Sequence, residues 1–212
     1  MNEELVKSGT TTIGIVCKDG VVIAADKRST AGGMVANKKQ LKLAQIADRI
    51  AIAGAGLVSD IQLSSRLAKA EIKLKDVQTG RQTTVKEAAN LVAGMLYGLI
   101  RRPTMVPGIV SFLLAGTDES GHLLYNIGID GSITEKDDFD SEGSGSIFAL
   151  GVLEAMYKKN MSTEEGMELA MKALNAAMQR DTASGNGCDI WVVTEKGVRQ
   201  AIRKEVDVGV HM

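Results

Sequence analysis

Apolar runs in this chain come in pairs: two short strand-like runs split by a turn, two longer runs at helical spacing, then a similar order again. Hairpins favour antiparallel sheets, and helices arriving two at a time cover the outer faces of such sheets. Residues 11–17 and 21–25 flank Lys18-Asp19-Gly20, a hairpin signal. Residues 41–46 and 50–53 form a second pair around Ala47-Asp48-Arg49. The period then changes. Ser59 with Gln62 spells a capping box, and Leu63, Leu67, Ala70 and Leu74 follow at helical spacing. Thr84 with Glu87 spells another, ahead of Val85, Ala89, Val92, Leu96 and Leu99, and Pro103 closes that helix.

The second half repeats the plan. Residues 109–115 and 122–127 read as strands, and Gly143-Ser144-Gly145-Ser146 leads into a helix over about 147–160. Ser162 with Glu165 caps a fourth helix carrying Met167, Met171, Leu174 and Met178, and strands at 188–194 and 198–202 finish the pattern. Methionines at such spacing read as core filler. The expected fold class is α+β, a four-layer αββα sandwich of two antiparallel sheets flanked by helix pairs. No linker divides the 212 residues, so one domain is expected.

Composition narrows the function. A net charge of −1 gives no basic field, and 3% aromatic residues give few stacking platforms, so no nucleic-acid partner is expected. His122 and His211 make no zinc cluster, and neither metal nor cofactor is expected. Cys17 and Cys188 could form a disulfide, but two buried thiols in a reducing compartment are the better reading. The polar opening lacks a signal-peptide run, and no stretch reaches the roughly 20 apolar residues of a membrane helix, so a cytoplasmic chain without a membrane partner is expected.

Three features near the start do not suit a plain core. Gly9 precedes Thr10-Thr11-Thr12, good strand material when taken alone. Asp26 and Arg28 follow an apolar strand on one face, as a solvated strand end would. Lys42 sits between Leu41 and Leu43, where a lysine commonly snorkels outward. The run Gly54-Ala55-Gly56-Leu57-Val58-Ser59-Asp60 lacks the Gly-Lys-Ser/Thr ending of a phosphate loop.

Together with Gly143-Ser144-Gly145-Ser146 and Arg180-Asp181-Thr182-Ala183-Ser184-Gly185, these pieces resemble proteasome β subunits, and the archaeal type most closely. The resemblance runs from about residue 8 to 202 with the motifs in order. It implies an N-terminal nucleophile hydrolase fold and a threonine endopeptidase of unfolded polypeptides. A propeptide of residues 1–9 would be removed by self-cleavage between Gly9 and Thr10, leaving one catalytic domain over 10–212. The freed Thr10 amine, with a reference pKa of roughly 7.7–8.0, would serve as base to its own hydroxyl.

In the same resemblance Asp26 holds Lys42 charged beside Thr10, and Arg28 supports that cluster. Ser144, Asp181 and Ser184 fix the amine and a catalytic water, and the Gly56 amide stabilises the oxyanion. Substrate would lie extended near Thr30 and Gly56, with Ser29, Gln40, Ala44, Gly54 and Val58 lining the pocket before the scissile bond. Small Ala44 and Gly54 suggest a chymotrypsin-like preference. The implied partners are other β subunits in two stacked heptameric rings and the α-subunit rings, with a regulatory ATPase reached through the α ring. A bacterial two-ring threonine peptidase and a structural, unprocessed β subunit are the alternatives.

Overall fold

A computed structural model describes residues 9–105 and 107–206. Residues 1–8 of the expected propeptide and His211 lie outside the described residues. The first hairpin forms as its pattern requires, β1 (Thr12–Cys17) pairing antiparallel with β2 (Gly20–Asp26). Both faces of β2 are buried, which explains why it reads as a continuous apolar run rather than an alternating one. Val22 and Ala24 face helices, while Val21, Ile23 and Ala25 face a second sheet. Each fully buried large aliphatic side chain contributes about 1.5–3 kcal/mol.

The chain continues through β3 (Ser29–Ala31) and β4 (Met34–Asn37), a small separate hairpin, into β5 (Leu43–Ala47) and β6 (Ile50–Gly56). Helices α1 (Val58–Thr79) and α2 (Val85–Ile100) follow, then β7 (Val110–Asp118), β8 (Gly121–Ile127), β9 (Ile133–Lys136) and β10 (Phe139–Glu142). Helices α3 (Ser146–Met156) and α4 (Thr163–Arg180) precede β11 (Gly187–Thr194) and β12 (Gly197–Glu205). One sheet has the order β10-β1-β2-β11-β12 and the other β5-β6-β7-β8-β9, with antiparallel pairing throughout. Helices α3 and α4 cover the first sheet, and α1 and α2 the second. The four layers are those expected.

The layer between the sheets mixes branched aliphatic residues with four alanines. Ala25, Ala51, Ala53 and Ala115 pack there with Val21, Ile23, Leu113 and Leu124. A Cβ on Gly14 would lie 2.5 Å from Leu124, so the sheets approach as closely as side chains permit.

Capping boxes at Thr84–Glu87 and Ser162–Glu165 form reciprocally, as their spelling requires. The one at Ser59–Gln62 does not. Helix α1 begins at Val58 with Leu57 as an uncapped N-cap, because the chain turns from β6 into the helix with the Leu57 amide bonded to the Ile109 carbonyl at 2.9 Å. Asp60 takes the first turn and accepts the Ile109 amide at 3.1 Å. The inward face of α1 is Ile61, Ser64, Ser65, Ala68 and Ile72, while Leu63, Leu67 and Leu74 point outward at about half exposure. The α3 helix stops at Met156 rather than near 160, and Asn160 turns the chain at φ 64°.

Both cysteines are buried free thiols. Burial pushes Cys17 up to about 12, with Asp19 and Glu165 adding to the shift, and raises Cys188 likewise. Neither thiol is poised as a nucleophile.

Candidate active site

Several chain ends meet where β1 begins. Asp26 terminates β2, Lys42 immediately precedes β5 on the facing sheet, and the α4–β11 loop closes over both. The Asp26 carboxylate has a full set of partners. Its Oδ1 accepts Lys42 Nζ at 2.6 Å and the Thr11 amide at 2.9 Å. Its Oδ2 accepts the amides of Arg28 and Gly185, each at 2.9 Å. Lys42 is 4% exposed, so it does not snorkel outward. Burial lowers its pKa below the ordinary lysine range, and Asp26 opposes that shift through charge and hydrogen bond.

A polar relay runs through the other side of the cluster. The Thr10 amide donates to Ser144 Oγ at 3.3 Å, and Ser144 Oγ donates to Asp181 Oδ2 at 2.6 Å. Ser184 Oγ donates to the same Asp181 oxygen at 2.6 Å and lies 2.7 Å from Thr11 Oγ1. The Thr10 hydroxyl, itself buried, donates to the Gly9 carbonyl at 2.7 Å. Thr11 thus joins the Asp26–Lys42 pair to Ser184, Asp181, Ser144 and Thr10 in one hydrogen-bonded group.

Arg28 is held beside it. Its Nε donates to Asn186 Oδ1 at 2.8 Å and its NH1 to the Thr182 carbonyl at 2.7 Å. Thr30 reaches the junction too, since its Oγ1 accepts the Gly9 amide at 3.2 Å. Gly9 fits where nothing larger does: a Cβ would stand 1.8 Å from Ala183 Cβ.

The remaining candidates are arranged around this centre. Gly56 ends β6 at φ 132°, and a Cβ there would meet the Ile109 carbonyl at 2.2 Å, so only glycine suits the position. Ser29 is buried in β3, and the Gln40 amide donates to the Lys27 carbonyl at 2.9 Å. Ala44 packs against the α1–α2 core, and Val58 opens α1. The space beside Gly54 is filled by Ile61 and Phe112, each 2.8 Å from where a Cβ would stand. A cleft of about 550 Å³ between the β5–β6 turn and α1 is lined by none of the candidate residues.

Sequence reasoning missed Asn186, Thr11 as a hydroxyl partner, and Lys27. Asn186 adopts φ 62° and is followed by Gly187 at φ 108°, so the Asn-Gly dipeptide was the available turn signal.

A family model described as "Proteasome subunit" matches residues 6–193. Proteasome subunit beta 1 of Thermococcus onnurineus is 45% identical over 199 residues, 94% of this chain and 95% of its own. Proteasome subunit beta of Archaeoglobus profundus is 40% identical over 205 residues, 97% and 94% of the two chains. Proteasome subunit beta 2 of Pyrococcus abyssi is 43% identical over 192 residues, 91% and 90%.

Proposed function

The chain belongs to the proteasome subunit family, and from that premise we propose that it is a catalytic β subunit whose Thr10 becomes a threonine-peptidase nucleophile after cleavage at Gly9–Thr10. The observation that carries this reading is the Thr10 hydroxyl resting on the Gly9 carbonyl at 2.7 Å while Ser144 holds the Thr10 amide. Attack of Oγ1 on that carbonyl carbon and expulsion of the Thr10 nitrogen gives an ester. Water then cleaves the ester, releasing residues 1–9 and a free amine.

The freed nitrogen, unlike the amide it replaces, is basic near neutral pH. It would remain beside Ser144 and take the hydroxyl proton when a substrate carbonyl is attacked. Lys42 and Asp26 stay a charged pair in this reading, the ammonium lowering the pKa of both Thr10 groups. The Gly56 amide serves the tetrahedral oxyanion, a kind of contact worth about 2.7–4 kcal/mol. Substrate adds as a strand near Thr30 and Gly56, with main-chain bonds giving affinity at little sequence cost.

Membership in the family implies assembly with other proteasome subunits. Stacked heptameric β rings between α rings, unfolded polypeptide substrates and a cytoplasmic site of action complete the proposal. Intact mass after assembly with α subunits tests it: loss of residues 1–9 is expected, and Thr10→Ala should abolish both cleavage and peptidase activity. A uniformly uncleaved wild-type chain would make it a structural subunit.

A further inference from the structure

Between Asp26 and Arg28 sits Lys27, a lysine with 0% exposure. Its Nζ lies 3.4 Å from Asp189 Oδ2 on β11 and 3.6 Å from Glu205 Oε1 at the end of β12. Glu205 reaches on to Lys39 at 2.7 Å, and Asp189 to Arg203 at 3.5 Å. Five charged side chains therefore join the last two strands to the segments flanking the candidate site.

This network is poorly suited to stabilising the fold. Desolvating a lysine costs several kcal/mol, and a buried pair is often no more stable than apolar residues of similar volume. The contacts of Lys27 itself are long, and Asp189 Oδ1 accepts no hydrogen bond among the described residues. The Lys27 backbone explains the location better. Its amide donates to the Gly185 carbonyl at 3.1 Å, and its carbonyl accepts the Gln40 amide at 2.9 Å. Gly185 also donates to Asp26, and Gln40 lies two residues before Lys42. The Lys27 peptide groups thus clasp two of the segments that supply partners to the Asp26 carboxylate, those of Gly185 and Lys42.

We propose that Lys27 is a positioning residue for the Asp26–Lys42 pair. Its side chain, anchored by Asp189 and Glu205, fixes the peptide that holds the Gly185 loop and the Gln40–Lys42 segment against Asp26. The proposal rests on the peptidase reading only for its kinetic test.

The experiment compares wild type, Lys27→Met, Lys27→Met/Asp189→Asn and Glu205→Gln as full chains assembled with α subunits. Lys27→Met should lower kcat at least tenfold with KM within twofold. The double variant removes the buried Asp189 carboxylate that has lost its lysine and should recover thermal stability without recovering kcat. Glu205→Gln, at a partly exposed strand end, should fold regardless and lose three- to tenfold in kcat. In parallel, the Lys42 amine is titrated by ¹³C NMR on the unassembled chains, where its titration should shift in both Lys27 variants. Wild-type kcat in the double variant, or a stable Glu205→Gln particle with unaltered kcat, would reduce Lys27 to a structural residue. If the wild-type particle hydrolyses nothing, the peptidase reading falls. The NMR titration then decides alone, and unchanged Lys42 titration overturns the positioning role.

Discussion

The Asp26–Lys42 contact should behave as one energetic unit, and a double-mutant cycle on the isolated full-length subunit measures it. At 2.6 Å, and with both side chains almost fully buried, neither group has solvent to fall back on. Removing one partner of such a pair costs about 3–5 kcal/mol, because the other charge is left buried and uncompensated. Asp26→Asn and Lys42→Met should each show that loss. In the double variant no charge remains to be compensated. What persists is chiefly the Thr11 amide, which faces the new Asn nitrogen, at about 1–3 kcal/mol for an unsatisfied donor. The double loss should therefore fall short of the summed single losses by at least ~2 kcal/mol, within the range seen for directly contacting residues. With a urea dependence of about 1–3 kcal/mol/M, this displaces the double-variant midpoint by roughly 1 M from the additive value. Midpoint shifts that simply add would show that the two groups do not share a buried bond, and the site geometry built on it would be wrong.

Three further outcomes follow from particular contacts. Gly9→Ala forces a methyl against Ala183 and should slow self-cleavage more than tenfold by intact mass; Gly9→Ala/Ala183→Gly should restore it, and normal processing of the single variant would refute the steric argument. Gly56→Ala combines a left-handed φ with a clash on the Ile109 carbonyl and should cost about 1–3 kcal/mol in urea unfolding even in a Thr10→Ala background. Lys42 has a native pKa below its unfolded value of 10.5, so the unfolded chain binds more protons between the two, and stability rises with pH across that window. The stability of wild type relative to Lys42→Met should accordingly grow as pH rises toward 10.5, and a difference independent of pH would contradict the shift.

Long, strongly patterned elements were legible in the sequence. The β1–β2 hairpin, α2 and α4 carry their periods and caps in local residues, and they form where those signals lie. Strands β3, β4, β9 and β10 were not legible. They are three or four residues long, and β4 is fully exposed, so no alternation of burial marks them. The α1 stripe misled for a different reason: its leucines have helical spacing, yet the inward face is made of Ile61, Ser64, Ser65, Ala68 and Ile72.

Within the site, Asp26 of the run Asp26-Lys27-Arg28 and Lys42 were each ordinary alone, a solvated strand end and a snorkelling lysine. They gained roles only from the resemblance that joined them to the other motifs. Lys27 stood in the same run and was passed over, since its partners Asp189 and Glu205 lie more than 160 residues away and only the sheet order brings them together. Ser144 and Asp181 were legible as members of short motifs, but their shared hydrogen bond is a product of the fold.

The close packing between the sheets, where Ala25, Ala51, Ala53 and Ala115 lie, has a consequence at its edge. Asp26 ends a strand of one sheet and Lys42 leads into a strand of the other, so their bond spans the gap like the jaws of a caliper. Widening that gap by a methylene or two, at Ala51 or Ala115 well inside the sandwich, would be read out as a stretched or broken bolt at the rim. The dimensions of the candidate site are in this sense tied to alanines well away from it.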